Sequence, residues 1–117
     1  MLICIMISIR SVAIGIGMSV VASAATAYAQ DPIQTGQKVY TSQKCSICHS
    51  IGGTGNKKGP LDGIGAKLSA DQIRQWITDA PAMTAKANAT RKPAMKAYTL
   101  PKDELDGLVM YLASLKK

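Results

Sequence analysis

Three stretches of this chain carry apolar residues at helical spacing, and none alternates convincingly enough to read as a strand. The first, about Pro32 to Gln43, sets Ile33, Gly36 and Tyr40 on one face with Val39 roughly in line. Asp31 can cap it, and Pro32 suits a first helical position. Glycine inside a helix is about 1 kcal/mol less favourable than alanine. Close approach of another helix would explain Gly36, simple tolerance being the alternative. The second stretch, about Ala70 to Asp79, opens on Ser69-Ala70-Asp71-Gln72, which has the form of a capping box, and places Ile73, Trp76 and Ile77 on one face. Ala80-Pro81 should stop it, leaving Ala82 to Tyr98 as a polar, alanine-rich loop. The third starts near Pro101 and repeats Leu105, Leu108, Val109, Leu112 and Leu115, with Tyr111 one turn past Leu108. Asp103, Glu104 and Asp106 stand near its positive end, and Lys116-Lys117 near its negative end. Helices at both ends each need an apolar partner. The pattern therefore predicts an all-α domain whose terminal helices pack together.

Upstream of the first helix the pattern changes. Met1 to Ile9 is apolar, Arg10 is the only charge before Asp31, and Val12 to Ala22 has the length of a signal-peptide core. Ala27-Tyr28-Ala29 has the small-x-small form that signal peptidase cuts after. A cleavable signal peptide is expected over residues 1–29 and a mature domain over 30–117, placing the protein outside the cytoplasm. The alternative is an uncleaved anchor, since a span needs about 20 residues; the serines, threonine and glycines of Ser11 to Gln30 make a poor spanning helix. Once the leader is gone, no stable membrane anchor is expected. Met6 is an alternative start. Cys4 precedes the apolar core, so it cannot serve as a lipoprotein anchor and would be discarded.

The chemistry concentrates in Cys45-Ser46-Ile47-Cys48-His49, the attachment signature of a c-type haem. Each thiol can add to one vinyl group of the porphyrin, the two intervening residues setting the sulfurs about one vinyl-to-vinyl span apart. The histidine that follows lies under the ring, where an imidazole nitrogen can bind iron. A zinc half-site shares this spacing, but a closed structural site wants four ligands, and the chain has no second C-x-x-C and no other histidine. A thioredoxin-like dithiol would want a βαβ context, and a disulfide across two residues would leave His49 unexplained. One covalently bound haem accounts for all three residues.

Composition then bears on that reading. The whole chain has 117 residues, no Phe and a single Trp, and so short a mature domain buries a modest fraction of its surface. A large apolar cofactor would fill the core that the side chains cannot. The formal net charge is +7, and the basic residues are mostly lysines spread along the chain. No basic stripe interleaved with aromatics marks a nucleic-acid surface. Scattered lysines fit a surface that steers acidic redox partners, and a merely solubilising surface fits them equally. Gly52-Gly53-Thr54-Gly55-Asn56 lacks the spacing and lysine of a phosphate-binding loop. In Gly59-Pro60-Leu61, glycine permits close approach to a flat ring and proline leaves its carbonyl free, although an ordinary turn would look the same. Trp76 is most simply core; its indole N–H could also donate to a haem propionate.

Taken in order, Gly36-Gln37-Lys38-Val39-Tyr40, Cys45 to His49, Gly59-Pro60-Leu61, Trp76-Ile77, Met95-Lys96-Ala97-Tyr98 and Leu108-Val109-Met110-Tyr111-Leu112 give the chain a family likeness. It resembles the class I (monohaem, His/Met-ligated) bacterial cytochromes c over nearly all of Gln30 to Lys117. The resemblance implies that Gly36 and Tyr40 meet Leu108 and Tyr111 where the terminal helices cross. It implies that the Pro60 carbonyl accepts a hydrogen bond from His49, orienting the imidazole. It also implies that Met95, in the family's M-x-x-aromatic setting, is the sixth iron ligand and Met110 an ordinary helix residue; Met83, in the same loop, is the alternative ligand if it is not a packing residue. Two departures are Lys96, where proline is common, and Pro101, in place of the usual Ser or Thr cap.

The function implied is a soluble, monomeric periplasmic electron carrier, not an enzyme, passing one electron between redox protein partners in brief encounters. A cytochrome subunit permanently attached to a periplasmic dehydrogenase or oxidase is the alternative. A five-coordinate haem with peroxidase or gas-binding activity is a third reading, against which Met95 argues.

Overall fold

The computed structural model describes residues 29–117; the expected signal peptide therefore lies outside the described residues but for Ala29. Five helices make up the domain: α1 (Pro32–Ser42), α2 (Ile64–Lys67), α3 (Ala70–Thr78), α4 (Ala80–Lys86) and α5 (Lys102–Ser114). Two-residue strands β1 (Ser50–Ile51) and β2 (Thr54–Gly55) form a minimal antiparallel hairpin pairing Ser50 with Gly55 and Ile51 with Thr54. Its turn is Gly52-Gly53, with φ of 58° and 79°, the left-handed pair that a tight two-residue hairpin requires. The all-α expectation holds; the hairpin occupies what the sequence suggested was a flexible loop.

α1 and α5 cross at backbone contact. A Cβ on Gly36 would strike the Gly107 carbonyl and come within 2.5 Å of Tyr111 Cβ. A Cβ on Gly107 would lie 2.9 Å from the Pro32 carbonyl oxygen and 3.0 Å from Thr35 Cγ2. Each helix thus gives up a side chain where the other's backbone passes. Beside the crossing, Tyr40 and Tyr111 meet edge to face, ring centroids 6.1 Å apart at 81°. The terminal-helix pairing implied by the resemblance is present, but the close partner of Gly36 is Gly107, while Leu108 turns into the core.

Local signals behave as their chemistry dictates at two starts. The Asp31 carboxylate accepts from Ile33 N at 3.0 Å. At α3 both halves of the capping box form, Gln72 N donating to Ser69 Oγ and Ser69 N to Gln72 Oε1. α5 begins after Pro101 with no side-chain cap, Asp103 and Glu104 lying in its first turn. Two expectations fail. Ala80-Pro81 does not lead into a loop: Pro81, with its fixed φ and no N–H to satisfy, sits in the first turn of α4, which carries Met83. Lys116 lies beyond the end of α5 and reaches across to donate to the Gly65 carbonyl at 2.7 Å, instead of facing the carbonyls of its own helix. Gly65 N donates in return to the Leu115 carbonyl at 2.8 Å, stitching α2 to the end of α5.

The core consists of Val39, Ile73, Ile77, Leu108, Val109 and Leu112, so it joins one face each of α1, α3 and α5. An exposed ion pair, Arg74 to Asp106 at 2.8 Å, runs between α3 and α5, and Lys102 also pairs with Asp106. The chain after α4 returns to α3, where Tyr98 N donates to the Ile77 carbonyl at 2.8 Å.

Candidate functional site

α1 ends where Lys44 turns left-handed at φ 57°, and a single 3₁₀ turn, Cys45–Ile47, follows. The Cys45 carbonyl accepts from both the Cys48 and His49 amides, at 3.1 and 2.9 Å. This tight winding brings Cys45, Cys48 and His49 onto the wall of one cavity of about 690 Å³, within the range of pockets that hold small molecules and cofactors. Both cysteines are half-buried and not joined to each other. Burial pushes the Cys45 thiol above its ordinary pKa.

His49 is held from two sides. Its carbonyl accepts from Asn56 N at 3.0 Å and, more loosely, from the Tyr40 hydroxyl at 3.4 Å. A side chain on Gly55 would strike that same carbonyl. Nδ1 of the imidazole lies 3.0 Å from the Gly59 carbonyl oxygen. A carbonyl can only accept, so Nδ1 carries the hydrogen and Nε2 keeps its lone pair free for a metal. Burial, and to a lesser degree the nearby Arg91 charge, lowers the pKa of His49 against the opposing pull of that hydrogen bond. The neutral form, which a metal needs, is favoured.

The acceptor is a correction to the assignment of Pro60. The carbonyl on His49 belongs to Gly59, and Pro60 is exposed and does not line the cavity. The cause is a local parallel bridge between Ser50 and Pro60, in which Ser50 N donates to the Gly59 carbonyl at 3.1 Å and Leu61 N to the Ser50 carbonyl at 2.8 Å. That register turns the Gly59–Pro60 peptide toward His49, and proline, lacking an N–H, leaves the unit with acceptor character alone.

Of the three methionines in the described residues, Met95 lines the cavity with His49, Met83 lies on α4 away from the lining, and Met110 is 49% exposed on α5. Trp76 is also on the wall, as are Ile73, Ile77, Leu108 and Leu112 from the core. The core is therefore open on this side, and a guest there would complete it. The charged residues on the wall are Lys44, Lys67, Arg91 and Lys96; no acidic side chain joins them. Arg91, from the loop after α4, reaches the attachment turn and donates to the Cys48 carbonyl at 2.6 Å. Lys96 lies over the Tyr98 ring, Nζ 5.0 Å from its centroid.

These residues fit a haem. The cavity offers two thiols, one oriented imidazole, a thioether, apolar walls for a flat ring and basic side chains for its carboxylates. They do not fit zinc alone, because among the described residues no three of His, Cys, Asp and Glu converge to hold a metal ion. Gly107, the Gly59 carbonyl as acceptor for His49, and Arg91 escaped sequence reasoning. Gly107 had a signal, a glycine in the apolar face of a helix opposite Gly36; Arg91 had none, its partner lying 43 residues away.

The family model for cytochrome c matches residues 33–116, a span that begins in α1 and ends beyond α5 and so takes in the whole cavity. No curated protein and no solved structure matched the chain. The family implies haem-based electron transfer with a covalently bound c-type haem, and Cys45 and Cys48 occupy the positions of its attachment signature. By this match and the fold around it, the chain belongs to the cytochrome c family.

Proposed function

We propose that the protein is an exported, class I bacterial cytochrome c, a carrier that takes one electron from a redox partner and delivers it to another. The observation that carries this reading is that Cys45, Cys48, His49 and Met95 share the wall of one cavity, while Met83 and Met110 do not line it. Haem, once attached through Cys45 and Cys48, would supply a ferric/ferrous couple; His49 Nε2 and the Met95 thioether are the groups that would hold its iron, and such a pair would favour a relatively high potential. With His49 and Met95 both holding the iron, no place would be left there for substrate, which would separate a carrier from a peroxidase or gas-binding haem. The Gly59 carbonyl fixes the imidazole tautomer and orientation. Lys44, Lys67 and Lys96 on the cavity wall give the transfer surface a positive field for acidic partners. Export to the periplasm rests on the leader pattern of residues 1–29.

A visible spectrum of the purified, haem-loaded protein tests the ligand pair. The ferric form should be low-spin with the weak long-wavelength sulfur-to-iron band, lost in Met95→Ala and kept in Met83→Ala. A high-spin wild-type spectrum without the band sinks the assignment, and loss of the band in Met83→Ala alone transfers the role to Met83. Purification from the native source separates the carrier from an enzyme subunit: fixed stoichiometry with a dehydrogenase or oxidase would establish the latter.

A further inference from the structure

Arg91 is the one side chain from the Met95 loop hydrogen-bonded to the attachment segment among the described residues. Its Nη2 donates to the Cys48 carbonyl at 2.6 Å. Its Nη1 lies against Gly59, in the space that a Cβ there would occupy. Gly59 in turn supplies the carbonyl that accepts the His49 Nδ1–H. One planar, permanently charged group thus touches both peptide segments that hold the imidazole. No acidic side chain among the described residues compensates its charge. The wall has no acidic member, and both ion pairs among the described residues fall on Asp106, away from Arg91.

We propose that Arg91 is a positioning residue that raises the reduction potential of the site, by fixing a positive charge without an acidic side-chain partner beside the His49–Gly59 hydrogen bond. This rests on the His49-ligated haem read above. Reduction brings in one electron from the donor, forms and breaks no bond, and makes the site less positive by one charge. A fixed cation close by favours the reduced state by Coulomb attraction. The gap at Gly59 follows from the same arrangement, because any side chain there would displace the guanidinium.

The test is redox titration of the haem-loaded protein in wild type, Arg91→Gln, Arg91→Met and Arg91→Lys, at low and at high ionic strength. Arg91→Gln and Arg91→Met should lower the midpoint, so that at a fixed solution potential the reduced-to-oxidised ratio falls several-fold in low salt and less in high salt, where exposed charge is screened. Arg91→Lys, which keeps charge and loses the fork, should recover most of the wild-type value. Lys57→Gln removes one charge from an exposed residue that does not line the cavity and should leave the midpoint close to wild type. The proposal is overturned if both neutral variants titrate like wild type. It is equally overturned if Arg91→Lys falls as far as they do, or if Lys57→Gln shifts the midpoint as much. The sulfur-to-iron band, recorded on each variant, keeps this result apart from the ligand assignment. Its absence from wild type would overturn Met95 as ligand while leaving the charge comparison on the attached haem valid.

Discussion

Along the α1–α5 crossing, the backbones of two helices touch at Gly36 and Gly107. Across the core, the attachment turn, α3 and the loop carrying Met95 surround a cavity of about 690 Å³, touching only at its edges. The first region is complete in protein atoms alone, because it removes side chains until two helices fit. The second is built from larger side chains that pack behind the wall and leave a space in front of it. Leu108 and Leu112 belong to both, being buried in the core and exposed to the cavity wall. A domain without Phe can thus place its rigid frame on one side and leave the other to be filled by a bound group.

Removing the guest should have the largest effect. Cys45→Ala combined with Cys48→Ala should abolish covalent haem, read as loss of haem staining on a denaturing gel. Thermal unfolding should fall steeply as well, since the open side loses its filling. A double variant that unfolds at the wild-type temperature would show that the cavity side stands without haem. Next comes Gly36→Val, which drives a branched side chain into the Gly107 carbonyl. Overpacking of this kind should destabilise the protein by about 3 kcal/mol or more in denaturant titration. The long-wavelength band should persist in whatever fraction folds, because the crossing holds no ligand. Ser69→Ala should cost about 1 kcal/mol by removing the cap of α3, the helix that carries Ile73, Trp76 and Ile77 to the wall.

The smallest effect is expected at Asp106. Hydrogen bonds from Lys102, then Arg74, hold its carboxyl below the ordinary carboxylate range. A folded-state pKa below the unfolded one contributes stability above the unfolded value, and that stability is lost as pH falls through the depressed one. Asp106 is exposed to solvent, so the contribution is small. Asp106→Asn should be slightly less stable than wild type at neutral pH, and the difference should close in acid and shrink in salt. A gap that widens on acidification would contradict the assignment.

Much of the frame was legible in the residues. Asp31-Pro32 and Ser69 to Gln72 act through atoms within three residues, so their chemistry could be read without a fold. The apolar face of α5 follows from helical spacing, and the attachment motif carries its own chemistry. What escaped depends on partners distant in sequence or on the sense of a boundary. Ala80-Pro81 looks the same as a stop and as a start; α4 begins there because Pro81 satisfies a first turn. The Gly59 carbonyl, not that of Pro60, meets His49 because a bridge to Ser50 sets which way the peptide faces. Gly107 is an unremarked helix glycine until Gly36 is brought against it. Arg91 could be placed only by the fold.

The crossing of α1 and α5 also imposes an order of events. Gly36 lies upstream of the attachment turn, and its partner Gly107 is near the opposite end of the domain. A chain emerging from its N-terminal side presents Cys45 and Cys48 before Gly107, so the crossing cannot form until most of the domain is available. Until then the frame around the two thiols is incomplete. The same glycine pair that closes the finished frame can thus meet only after the attachment turn has already appeared.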